Sequence, residues 1–225
     1  MIGILVPAHN EEARLAACLQ SLRDAARHPA LHGEAVVIAV ALDACSDASA
    51  RICAGHGVHT LPLAARCVGT ARATAAHWLL QQGAQWLAST DADSIVPRNW
   101  LAAQRRCGAD VFCGVVDVHA VGRSEQRLRR LFRCGERWGD DHGRIHGANL
   151  GLSAVAYRRC GGFQDLRCGE DVALVRGLQA QGTPIRWAGA PVVRTSMRLA
   201  GRANGGFADH LAMLATAAGA AVIPA

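Results

Sequence analysis

Apolar positions over the first 120 residues fall into two alternating kinds of run. Residues 2–6, 35–42 and 86–89 are short, almost continuously apolar blocks, and 58–61 is a weaker block of the same kind. Such blocks suit strands buried on both faces. Between them, Leu15, Cys18, Leu19 and Leu22 recur at helical spacing, with Glu11 and Glu12 placed in the first turn, where the helix dipole favours acid. A polar turn and short helix follow Asp43, and Ala71, Ala75, Trp78 and Leu79 mark one side of a helix over 69–82. This alternation predicts an α/β fold with a mostly parallel central sheet flanked by helices. Folds of this kind bind ligands at the carboxyl ends of their strands, where Asp43 and the pair Asp91 and Asp93 stand.

The pattern is less regular beyond that point. A strand is predicted over 111–118, an Arg-rich helix over 124–138, and a Gly-containing strand or loop over 147–153. A helix over 154–159 ends at Gly161-Gly162, and Gly169-Glu170-Asp171 opens another that runs to 181. Thr195-Ser196 precedes a helix that would carry Arg198 and Arg202 on one face. With no repeat, linker or boundary in view, residues 1–225 read as one domain.

Composition narrows the partners. All 24 basic side chains are Arg, so an anion must be held by Arg, backbone N–H groups or a metal. The net charge of +6 points to anionic partners, but one Tyr and four Phe cannot line a nucleic-acid groove. Nine cysteines without a C-x-x-C argue against a disulfide framework or zinc ribbon and for reduced thiols in a cytoplasmic protein. The start of the chain does not read as a signal peptide. The apolar stretch over 211–225 is shorter than the ~20 residues that span a bilayer, so it reads as a packed helix. Six Arg over 123–137 read as a solvated face, with peripheral contact at the inner face of a membrane as the minority reading.

Asp91-Ala92-Asp93 carries the chemistry. In extended chain, residues i and i+2 point to the same side, so two hard oxygen donors converge at a strand end. An open site of this kind suits Mg²⁺ or Mn²⁺ shared with a phosphate substrate. Around it, Val6-Pro7-Ala8-His9-Asn10-Glu11-Glu12 resembles V-P-x-x-N-E-E, and Leu42-Asp43-Ala44-Cys45-Ser46-Asp47 resembles D-D-x-S-x-D with Leu for the first Asp. Gly69-Thr70-Ala71-Arg72 is similar to G-x-A-R, with Ala73 where Asn is usual. Gly147-Ala148-Asn149, Gly161-Gly162-Phe163 and Glu170-Asp171 complete an ordered set that resembles the family-2 glycosyltransferases of the GT-A fold.

That resemblance implies a metal-dependent, inverting transfer of a sugar from a nucleoside diphosphate, a UDP-sugar foremost, to an acceptor hydroxyl. Residues 1–118 would be the donor half and 119–225 the acceptor half. It implies Asp93 as the direct ligand of the cation and Asp91 as a ribose or water partner. Asp43 would accept from the base, Pro7, Asn10 and Glu11 would wall the nucleoside, and Arg72 would contact base or diphosphate. Arg198 and Arg202 would clamp the diphosphate, Asp171 would deprotonate the acceptor, and Asn149 and Glu170 would lie on the acceptor side. His9, His119 and His146 are left unassigned. A nucleotidyltransferase would need a basic Gly-rich first loop, where this chain is acidic, which leaves a non-catalytic nucleotide-sugar-binding protein as the alternative.

Overall fold

The structure is a computed structural model describing residues 1–120, 122–199 and 206–217. Its strands are β1 (Ile2–Ala8), β2 (Val36–Asp43), β3 (His59–Leu63), β4 (Trp86–Ser89), β5 (Val111–Val118), β6 (Leu150–Ser153) and β7 (Ile185–Thr195). Its helices are α1 (Leu15–Ala26), α2 (Ser49–Gly55), α3 (Val68–Gln81), α4 (Trp100–Arg105), α5 (Arg123–Gly135), α6 (Ala154–Arg159), α7 (Glu170–Ala180) and α8 (Phe207–Ala217). Among the described residues the strands form one sheet in the order β3-β2-β1-β4-β6-β5-β7.

Strand direction decides what meets at the sheet's edge. β1 is parallel to β2 and β4, and β5 is parallel to β7, while β6 runs antiparallel between β4 and β5. The carboxyl ends of β1, β2, β4, β5 and β7 therefore share one edge with the amino end of β6. The register pairs Ser89 with Leu150, so the chain leaving β4 and the chain entering β6 emerge side by side. Asp91 and Gly147, far apart in sequence, are brought together by this one reversal.

Alternation along the strands builds the two faces. Ile2, Ile4 and Val6 of β1 join Leu15, Leu19 and Leu22 of α1 and Trp100 of α4 in one core cluster. Leu5 turns the other way, to Ala75 and Leu79 of α3 and Leu174 and Leu178 of α7. Gly3 is small because Leu79 packs on it, with the leucine Cβ 3.0 Å from where a side chain would begin. A third, smaller cluster joins Val118 of β5, Phe132 of α5 and Leu211 of α8.

Several predicted elements need correction. Helix α1 starts at Leu15, so Glu11 and Glu12 lie before it rather than in its first turn. Their amides are engaged elsewhere: Glu11 N–H donates to Ser49 Oγ at 3.0 Å, and Glu12 N–H to Asp47 Oδ2 at 2.9 Å. The Glu12 carboxylate in turn accepts from Ala48 N–H at 2.8 Å, so the loops after β1 and β2 are latched in both directions. Residues 196–199 are not helical, so Arg198 stands on a coil after β7, and Arg202 lies outside the described residues. β7 was not anticipated because Arg186, Gly189, Pro191 and Arg194 break its apolar run. It lies at the sheet edge, where proline and polar side chains are tolerated.

Asp117 anchors α5 to β5. Its side chain is 3% exposed and accepts from Arg129 at 2.5 Å and Arg133 at 2.7 Å. Burial alone would raise the Asp117 carboxyl, but the hydrogen bonds from Arg129, the Val118 N–H and Arg133 hold it below its usual range. A depressed folded value stabilises above the unfolded one, ~3.9, and the contribution is lost as pH falls through the folded value. We expect Asp117→Asn to be less stable than the parent at pH 7 by roughly 1–3 kcal/mol in urea denaturation. That gap should close as the pH is lowered below 4.

Candidate active site

A cleft of about 890 Å³ opens at the carboxyl edge of the sheet. Pro7 near the end of β1, Glu11 from the first loop, Asp43 from β2, Asp91 and Asp93 after β4, and Glu170 and Asp171 from α7 all line it. Arg72 and Arg198 reach it from α3 and from the coil after β7.

The first two loops form its near wall. Asn10 takes a positive φ of 53°, which Asn tolerates better than most residues. Its Oδ1 accepts from Ser46 N–H at 2.8 Å, so Asn10 ties the two loops together and is not itself in the wall of the cleft. Asp43 is 4% exposed, and its two oxygens accept from Arg66 N–H at 2.8 Å and Cys67 N–H at 2.7 Å. It holds the chain entering α3 while still lining the cleft. His9, unassigned from sequence, lines the cleft too, and its Nδ1 lies 2.6 Å from the Asp43 carbonyl oxygen.

The aspartate pair is held from opposite sides. Asp91 Oδ1 accepts from Arg72 Nη2 at 2.6 Å, and the side chain keeps 37% of its surface open. Burial pushes its carboxyl above the usual range, Arg72 pulls it back, and the Asp93 and Glu170 carboxylates push it up again. Beneath the pair, the buried Cys18 thiol donates to the Asp91 carbonyl oxygen at 3.4 Å. The Asp93 side chain is 7% exposed and accepts from the hydroxyls of Thr195, at 3.2 Å, and Ser196. Arg198 donates to Glu11 Oε1 at 2.6 Å and stands 3.4 Å from Asp93 Oδ2. In this conformation Asp91 offers the more open oxygens, not Asp93. Thr195, which ends β7, and Ser196, which follows it, were not identified because the strand itself was not.

Three residues expected to meet substrate make internal contacts in this structure. Arg72 is 3% exposed, and its guanidinium is engaged by Asp91, Glu170, Ser89 and the Gly147 carbonyl. Asn149 has no exposed surface and sits among backbone groups. It accepts from Trp100 Nε1 at 2.9 Å and donates to the carbonyls of Val115, at 2.8 Å, and Pro191, at 3.0 Å. It clamps α4, β5 and β7 together and presents nothing to an acceptor. Glu170 is 4% exposed and paired with Arg72 at 2.8 Å, so it too serves the floor of the cleft.

Asp171 keeps an outlook on the cleft from the first turn of α7. Its Oδ2 accepts from Gly147 N–H at 2.5 Å and its Oδ1 from Val172 N–H at 2.8 Å. The adjacent imidazole of His146 also lines the cleft, and burial drops its pKa to about 4, so it is neutral near pH 7.

The cleft's charge bears on what it can hold. Six carboxylates, those of Glu11, Asp43, Asp91, Asp93, Glu170 and Asp171, face four guanidiniums, those of Arg66, Arg72, Arg167 and Arg198. An anionic diphosphate is repelled by such a surface unless a cation enters with it. The oxygen donors of Asp91 and Asp93 fit a hard divalent ion. Among the described residues no three His, Cys, Asp or Glu side chains form a metal-binding group, so such an ion would take its remaining ligands from substrate and water. No helix among the described residues is long and apolar enough to cross a membrane.

Comparison with known proteins agrees with this fold. Among curated proteins none matches the sequence. Residues 1–349 of S. aureus TarS in complex with UDP superpose with a TM-score of 0.62 at 13% identity, covering 88% of this chain and 60% of that one. The complex of the same TarS fragment with UDP-GlcNAc gives a TM-score of 0.64 at 14% identity, covering 89% and 60%. The mannosyltransferase PcManGT from Pyrobaculum calidifontis, in complex with GDP-Man and Mn²⁺, gives 0.59 at 16% identity, covering 87% and 56%. This chain thus spans less than two thirds of each, and the likeness establishes the GT-A fold. The profile of glycosyl transferase family 2 matches residues 3–163, more than half of the sequence, and the chain belongs to that family.

Proposed function

We propose that this glycosyltransferase moves a sugar from a nucleoside-diphosphate sugar to an acceptor hydroxyl with inversion, assisted by Mg²⁺ or Mn²⁺. The observation that carries the reading is that Asp91, Asp93 and Asp171 line one cleft, so a donor's diphosphate and an acceptor's hydroxyl can be served from the same floor. The complexes of fold relatives with UDP, UDP-GlcNAc and GDP-Man with Mn²⁺ support a nucleotide-sugar donor, and we favour a UDP-sugar.

The nucleoside lies against Pro7, Glu11 and Asp43. The Asp91 and Asp93 carboxylates would hold a divalent ion, which would supply charge neutralisation for the departing diphosphate. Arg198 exchanges its contact with Asp93 for the diphosphate as the donor enters, its guanidinium being suited to a forked hold on phosphate oxygens. Asp171 removes the proton from the acceptor hydroxyl as it attacks the anomeric carbon on the face opposite the leaving group. One base and no covalent intermediate give inversion, through an oxocarbenium-like transition state. Residues 1–118, joined by Arg198, bind the donor and the rest of 119–225 forms the acceptor side within one domain, in a reducing compartment that suits the buried thiols of Cys18, Cys53, Cys67 and Cys113.

Two variants test the assignment with UDP-GlcNAc or GDP-mannose as probe and nucleoside diphosphate release as the readout. Asp93→Ala in the presence of Mn²⁺ should lose turnover ~100–1,000-fold, as expected for several kcal/mol of lost transition-state stabilisation. Turnover that is unchanged in that variant and indifferent to chelator would remove the metal assignment. Asp171→Asn should bind the donor with near-parent affinity in calorimetry yet turn over ~100–10,000-fold more slowly. Parent-like turnover in Asp171→Asn would refute its role as the base.

A further inference from the structure

We propose that Arg72 is a positioning residue that ties the donor side of the cleft to the acceptor side, setting the separation of Asp91 and Asp171 through the peptide of Gly147. The inference rests on the roles given to those two aspartates above.

The tie is continuous in the hydrogen bonds. Arg72 Nη2 donates to Asp91 Oδ1 at 2.6 Å, and Nε donates to Glu170 Oε1 at 2.8 Å, next to Asp171 in the chain. Nη1 donates to Ser89 Oγ at 2.5 Å and to the Gly147 carbonyl at 3.3 Å. Ser89 Oγ donates to the same carbonyl at 2.8 Å. On the other side of that residue, Gly147 N–H donates to Asp171 Oδ2 at 2.5 Å. One residue's backbone is thus gripped at its carbonyl by the donor side and grips the base with its amide.

Space confirms how closely the parts are set. A Cβ on Gly147 would lie 2.5 Å from Arg72 Nη2 and 3.2 Å from Asp171 Oδ2, so the glycine is there to let guanidinium, peptide and carboxylate touch. Arg72 is 3% exposed and its Cζ lies 6.0 Å from the Phe163 ring centroid, which leaves it little surface for substrate. The planar fork matters because it donates in three directions at once, and a lysine ammonium cannot reproduce that geometry. In-line displacement needs the base and the departing diphosphate on opposite sides of one carbon. A misplacement of ~1 Å between such groups costs ~100-fold in rate.

The test uses Arg72→Lys, Gly147→Ala and the double variant in the full chain, with Mn²⁺ and whichever of UDP-GlcNAc or GDP-mannose the parent hydrolyses, water standing in for the acceptor. We expect Arg72→Lys to lower kcat ~100-fold while the donor Kd from calorimetry stays within ~3-fold, and Gly147→Ala to do the same. Because both act through one link, the double variant should fall no further than the worse single one. A double loss equal to the product of the two, ~10,000-fold, would show independent sites and overturn the tie. So would an Arg72→Lys variant that loses donor affinity with kcat unchanged. If Arg72→Lys does not fold, the paired Arg72→Gln/Glu170→Gln change, which removes both buried charges, takes its place under the same two criteria. Asp171→Asn measured in parallel separates the failures. Parent-like turnover there removes the base assignment, whereas lost turnover there with additive Arg72 and Gly147 effects removes only the tie.

Discussion

Carboxylates crowded at one edge of a sheet are the constraint on which the rest of this structure depends. Glu11, Asp91, Asp93, Glu170 and Asp171 share a cleft floor, and like charges in a partly dry site repel strongly. Left alone, some of them would bind protons or swing apart. Two guanidiniums prevent this: Arg72 between Asp91 and Glu170, and Arg198 between Glu11 and Asp93. Each is buried enough that burial works against its charge, yet the neighbouring acids hold both above the usual arginine range. The balance is left short of positive charge, which disposes the floor toward a cation carrying an anionic substrate.

The sheet delivers those groups together by topology, not by sequence proximity. Parallel strands bring Asp43 and Asp91 to one edge, and the antiparallel β6 brings Gly147 to the same edge from the opposite direction. Asn149, in the short turn between Gly147 and β6, locks that turn to β5, β7 and α4 with its buried amide. The asparagine therefore supports the site from behind. All basic side chains of the sequence are Arg, and Arg72 and Arg198 each use the guanidinium fork to reach two carboxylates.

Much of the donor half was legible in the chain. The runs at β1, β2 and β4 are continuous and apolar because both faces are covered, and each ends where its polar chemistry begins. The start of α7 was legible for a similar reason, with a glycine and two acids at its threshold. What was not legible depended on contacts between distant segments. Glu11 and Glu12 look like a helix's first turn, but Ser49 and Asp47 compete for their amides. Arg72 and Asn149 look like substrate contacts by motif, yet burial turns both inward. β7 is obscured by its arginines, glycine and proline, and with it went Thr195 and Ser196, the hydroxyls that hold Asp93.

On the function proposed here, this acidic floor accepts a nucleotide-sugar only together with a divalent cation. Thermal melting of the full chain with UDP-GlcNAc or GDP-mannose, with Mn²⁺ or with chelator, reads it most directly, since a ligand of the native state must stabilise it. At ~100 times Kd the stabilisation is about 2.7 kcal/mol, so a rise in Tm of several degrees is expected with Mn²⁺ for at least one donor, and little or none with chelator. A melt unmoved by either donor, or moved equally with and without the cation, would contradict the account.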